Sequence, residues 1–157
     1  MRHSGEASRP RSFREALTCA LRGSHLAIRS ERHFRAHLVI ALTALLAAAW
    51  AGFGAIELGV LTITIALVLV SELFNTSIEM LTDLLHPGAG HRAAAVKDVA
   101  AAAVMVSSGL AVVVGAALFL PHLITHPVNI PRVLALVLAL VLLVAFLVVA
   151  VRPGPAK

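Results

Sequence analysis

Three apolar stretches, 38–56, 99–120 and 133–151, run without a single ionisable side chain. Each comes close to the ~20 residues that an α-helix needs to cross ~30 Å of hydrocarbon. Lipid offers no partner to a backbone amide, so such stretches read as transmembrane helices. A fourth stretch, 58–71, is shorter and runs directly into Glu72. The composition agrees, with 59% hydrophobic and 13% charged residues in a chain of 157, far from the balance of a soluble domain. The first stretch follows a long basic segment and lacks a small-residue cleavage site after it, so it reads as a retained span and not a signal peptide.

Charge placement orients these spans. Among the 13 Lys and Arg, those before the first span are Arg2, Arg9, Arg11, Arg14, Arg22, Arg29, Arg32 and Arg35. Arg92 and Lys97 lie between the second and third spans, and Arg152 and Lys157 follow the last; Arg132 alone falls in the other set of loops. The positive-inside rule then puts both termini and the middle loop in the cytoplasm of a bacterial-type inner membrane. The net charge of +5 reads as a topology and anionic-lipid signal. Nucleic-acid binding is disfavoured, since the basic residues come without a recognition fold or an aromatic stacking platform. Cys19 is the only cysteine, which excludes an internal disulfide.

The predicted fold is all-α: an integral membrane helical bundle with an N-terminal amphipathic surface helix and four transmembrane helices. Residues 1–11 read as a disordered basic lead. Ser12 and Glu15 have capping-box spacing, and Phe13, Leu17, Ala20, Leu21, Ser24 and Ile28 recur at helical intervals. Such a helix would lie on the membrane surface. Trp50 and Phe53 suit the outer interface, where a short turn makes the first two spans antiparallel neighbours. The second helical pattern runs from about Ile56 to Leu85 and stops at His86-Pro87-Gly88. A third starts near Ala93; Ser107, Ser108 and Gly109 would allow close backbone approach, and Pro121 and Pro127 would break the outer loop. Residues 12–124 form the predicted functional unit, and 125–157 an extra C-terminal span and short tail.

The segment 71–83 carries the chemistry. At 100° per residue Glu72, Asn75, Glu79 and Asp83 share one helix face. Glu72 lies about 21 Å along the helix from Leu58, inside the inner leaflet. A charge there costs roughly 2.5 to 3.5 kcal/mol on insertion scales, a cost that calls for a partner or a function. Clustered carboxylates repel unless cations neutralise them, and Mg²⁺ held by one or two carboxylates and by phosphate oxygens is the usual arrangement in phosphoryl transfer. That chemistry also requires a base for the attacking hydroxyl and positive charge on the transferred group. Glu72 is placed to meet a lipid hydroxyl, Glu79 to meet metal, and Lys97 to meet phosphate.

These residues resemble the signature of the prokaryotic diacylglycerol kinase and undecaprenol kinase family. Its pattern E-x-x-N-[ST]-x-x-E-x-x-x-D is met by Glu72, Asn75, Thr76, Glu79 and Asp83, and its Lys-Asp by Lys97-Asp98. Upstream, the run from Glu31 through Phe34 and Arg35 to His37 is similar to E-x-x-F-R-x-H, the form common in the undecaprenol-type branch. The resemblance covers residues 12–120. It implies an ATP-dependent lipid kinase with Glu72 as general base, Glu31 and Glu79 holding the Mg²⁺ of ATP, and Lys97 and Asp98 contacting the nucleotide. Asn75 would support that site and Arg35 would flank the lipid entrance. It also implies a homotrimer with shared sites, acting on undecaprenol or diacylglycerol. The chain departs from the family in presenting Ser12 and Cys19 where a basic and an aromatic residue can face the nucleotide, and in its fourth span. Neither a Walker-type phosphate loop nor a kinase Gly-rich loop is present.

Two other classes compete: a four-span proton-coupled transporter and a non-catalytic membrane scaffold. A transporter wants its carboxylate near the midplane in an aromatic-walled cavity. Here aromatics make up 4% of the chain, tyrosine is absent, and the carboxylates cluster at one end of a span.

Overall fold

The structure is a computed structural model that describes residues 12–88 and 90–125. The basic lead, Pro127 and the expected fourth span at 133–151 lie outside the described residues. Every regular element among the described residues is a helix. Helix α1 (Phe13–Ser30) starts where the capping spacing predicts, and Ser12 Oγ accepts from the Glu15 N–H at 3.2 Å. One extended residue, Glu31, separates it from α2 (Arg32–Ala51). The last carbonyls of a helix lack intrahelical partners. At α1 the Arg35 guanidinium supplies them, donating to Ile28 O at 3.0 Å and Arg29 O at 3.2 Å.

Helix α2 closes on Gly52, whose φ of 74° is left-handed. The Gly52 N–H bonds Ala49 O and the Phe53 N–H bonds Ala48 O, a Schellman end that turns the next residue back over the helix. This geometry folds Phe53 into the bundle at the turn that joins α2 to the next helix. Trp50 is exposed, but Phe53 is buried with Ala48 and Leu61, its ring 4.7 Å from those of Phe119 and His122. Helix α3 (Ala55–Leu85) follows at once, with Glu57 Oε2 accepting from the Gly54 N–H at 2.8 Å. At 31 residues it is about 46 Å long, so it outlasts a bilayer core. His86 and Pro87 end it as expected.

Helix α4 (His91–Thr125) differs from expectation at both ends. It begins two residues before Ala93, and it passes through Pro121. A proline forfeits one backbone bond, here to the Ala117 carbonyl. That loss does not stop the helix, which continues to Thr125, the last described residue. α4 packs along α3 more extensively than any other helix pair, and α2 packs on α3 beside it. The remaining faces of α4 are bare, with Val112 73% and Ile124 82% exposed. A Cβ added at Gly109 or Gly115 would meet nothing within 4 Å, so among the described residues no backbone approaches Gly109 closely. α2, α3 and α4 are each long and apolar enough to cross a membrane.

Candidate active site

One face of α3 builds the site. Leu61, Thr64 and Val68 are buried toward the other helices, and Glu72, Thr76 and Thr82 continue that face. Steps of three and four residues from Leu61 to Thr76 keep these in one stripe, and Thr82, six residues on, falls at the same angle as Thr64. The stripe is mostly apolar over its N-terminal half and polar over its C-terminal half, so packing of α3 carries the acidic groups to the end of the bundle near the α3–α4 loop. Exposure then rises along it: Glu72 is 3% exposed, Asn75 and Glu79 are half-buried, and Asp83 is exposed.

Each of these groups has a defined neighbour. His37 Nε2, from α2, lies 3.1 Å from Glu72 Oε1. Asn75 Nδ2 donates to Glu79 Oε1 at 2.8 Å, the one-turn spacing that lets side chains of a helix meet. Asp83 pairs with Lys97 Nζ and so ties α3 to α4. Asp98 is exposed beside Lys97. Glu31 is half-buried at the α1–α2 junction, where its side chain makes no capping bond. Arg35, expected at the lipid entrance, has its guanidinium committed to the α1 carbonyls.

The donor set fits a hard cation. Asn75 Oδ1 is buried with no hydrogen-bond partner, and a buried acceptor of that kind calls for a donor or a metal. Glu79 accepts from Asn75 Nδ2 through Oε1, and its carboxylate and the Asn75 Oδ1 are both hard oxygens of the type that Mg²⁺ prefers. Among the described residues no three His, Cys, Asp or Glu side chains converge on a metal position. Mg²⁺ commonly takes only one or two protein carboxylates and fills its shell with water and phosphate oxygens. Glu79 and Asn75 Oδ1 offer oxygens of that kind, and no contact among the described residues brings Glu31 to them.

Two cavities border these groups. An apolar groove of about 280 Å³ runs between α2, α3 and α4 from His37 past Ala44, Val68 and Ser108 to Phe119. A more polar cavity of about 630 Å³ lies at the α3–α4 loop, walled by Asp83, His86, His91 and Lys97 and by the backbone at Gly88 and Gly90. Glu72 lines neither cavity; its partner His37 walls the apolar one and Asp83, further along α3, walls the charged one. The arrangement can hold a carboxylate out of water next to a long apolar ligand, with cation-binding oxygens one to two turns away.

Reading the sequence for site residues passed over His37, His86 and His91. His37 closes the E-x-x-F-R-x-H run immediately before an apolar stretch, which was the available signal. No comparable spacing marks His86 or His91.

Residues 18–119 match the profile of the prokaryotic diacylglycerol kinases. A diacylglycerol kinase from Synechocystis sp. is 36% identical over 115 residues, a match that covers 73% of this chain and 63% of that relative. The matched part is thus under two thirds of the relative's length. No solved structure matches the chain. With the family profile spanning both the acidic stripe of α3 and the Lys97-Asp98 pair of α4, the chain belongs to the prokaryotic diacylglycerol kinase family.

Proposed function

We propose that this chain is a membrane lipid kinase, transferring the γ-phosphate of Mg-ATP to the hydroxyl of a lipid alcohol at the cytoplasmic face of a bacterial-type inner membrane. The observation that carries the reading is Glu72, a carboxylate 3% exposed whose partner His37 walls an apolar groove. Family membership supports the same activity.

In this reading the lipid tail lies along the bundle and its hydroxyl meets Glu72. The carboxylate accepts the hydroxyl proton as the oxygen attacks, a step for which a positioned base supplies about 10²- to 10⁴-fold. Glu31 and Glu79 would hold Mg²⁺, with Asn75 Oδ1 near it, and the bound cation would neutralise the phosphate oxygens. Lys97 shares its charge between Asp83 and the nucleotide, and Asp98 adds a polar contact at the same mouth. Arg35 acts by holding α1 over the site. α1 lies on the membrane surface with Phe13, Leu17 and Leu21, all exposed in the single chain, set into the lipid.

A homotrimer with shared sites suits the bare faces of α4, which a neighbouring protomer or lipid must cover. The termini lie in the cytoplasm, following the positive-inside bias. The Phe34-Arg35-x-His37 form favours undecaprenol over diacylglycerol. Purified protein in detergent with Mg²⁺ and labelled ATP, given each lipid side by side, should put label into extracted lipid, more with undecaprenol. Absence of label with either lipid would contradict the kinase, and label confined to diacylglycerol would reverse the substrate preference.

A further inference from the structure

We infer that His37 is a positioning residue for Glu72: its Nε2–H holds Oε1 of the carboxylate so that Oε2 is presented to the lipid hydroxyl. The inference rests on the reading of Glu72 as the base.

Three observations converge on this residue. The His37 ring nitrogen lies 3.1 Å from Glu72 Oε1, and the Glu72 side chain is 4% exposed. It is the only polar partner of Glu72 among the described residues. The nearby cations are engaged elsewhere, Lys97 with Asp83 and Arg35 with the end of α1. His37 also walls the apolar groove, so it is the residue that joins the tail compartment to the carboxylate.

The chemistry suits a neutral imidazole. A buried carboxylate without a donor carries a large desolvation cost, and one hydrogen bond offsets part of it. A glutamate has three rotatable bonds, and a general base must hold its accepting oxygen within hydrogen-bond reach of the proton it takes. The tautomer with its proton on Nε2 fixes one oxygen and leaves the other bare. An arginine or lysine in the same place would favour the charged carboxylate and weaken it as a base. His37 thus fixes direction without setting a permanent charge beside the carboxylate.

The test uses the full chain in mixed micelles, with labelled phosphate transfer at saturating lipid. His37→Ala and His37→Asn should lower kcat on the order of 10- to 100-fold, part of the range for base catalysis, with KM for Mg-ATP within about twofold of the parent. His37→Gln, whose amide nitrogen sits near the position of Nε2, should stay within about threefold of the parent. In the Glu72→Gln background His37→Ala should cost no further turnover, because a residue acting only through Glu72 has nothing left to position. A merely structural tie between α2 and α3 would add its loss in both backgrounds. The proposal is overturned by parental kcat in His37→Ala, by His37→Gln as impaired as His37→Asn, or by an additional loss in the double variant. Should His37→Ala fail to fold, the Gln and Asn pair decides alone. Full turnover in Glu72→Gln would remove the base itself, and the proposal with it; a dead Glu72→Gln beside a fully active His37→Ala would remove only the role of His37.

Discussion

Glu72→Gln is the substitution with the most specific consequence. Glutamine keeps the shape of glutamate, and its carbonyl can accept from the His37 Nε2–H that now lies 3.1 Å from Oε1. The side chain is 3% exposed, so the change also removes a charge from an apolar setting, and the thermal midpoint in detergent should hold or rise. What disappears is the ability to take a proton. Loss of a positioned base costs about 10²- to 10⁴-fold in kcat, equivalent to about 2.7 to 5.5 kcal/mol of transition-state stabilisation. Nucleotide affinity should be unchanged, because Glu79 lies seven residues along α3, about 10 Å away. Steady-state transfer of labelled phosphate gives kcat, and equilibrium binding of an ATP analogue gives the affinity. Turnover within about threefold of the parent would refute the assignment of Glu72 as base, and a matching fall in nucleotide affinity would show that it binds ligand instead.

Other outcomes follow from single contacts. Glu79→Ala removes a hard oxygen ligand and the partner of Asn75 Nδ2, so the affinity for Mg-ATP should fall about tenfold or more; unchanged affinity by equilibrium binding would contradict the metal role. Arg35→Ala removes the donors that close α1, worth about 1.5 kcal/mol when partly exposed, and should speed amide exchange across the last turn of α1 with little change in α3. Gly52→Ala meets no atom within 4 Å, so its cost is conformational alone, about 1 to 2 kcal/mol for the left-handed backbone, read as a lowered thermal midpoint.

The three long apolar helices among the described residues were legible through length and scarcity of charge, while the expected fourth span lies outside those residues. Helix starts at Ser12 and the stop at His86-Pro87 were legible for the same local reason, since capping and proline act within a few residues. Pro121 was misread because a proline near a helix end costs too little to stop the helix. The burial of Phe53 was not legible because it depends on the Schellman turn and on Phe119 and His122, which are distant in sequence. The acidic stripe was visible as a face of one helix. The partner of Glu72 was not, since His37 reaches it across an interhelical contact, and the commitment of Arg35 to α1 likewise depends on how α2 folds back on its predecessor.

The central claim is that Mg-nucleotide binds at the inner mouth with its terminal phosphate beside the carboxylate that receives the lipid proton. An experimental structure with Mg²⁺, a non-hydrolysable ATP analogue and a bound lipid alcohol tests it most directly. The account predicts a cation ligated by Glu31 and Glu79, from one protomer or from two adjoining ones, Lys97 on the phosphates, and the lipid oxygen about 3 to 3.5 Å from the γ-phosphorus and bonded to Glu72. A triphosphate bound away from α3, or a lipid hydroxyl out of reach of Glu72, would contradict it.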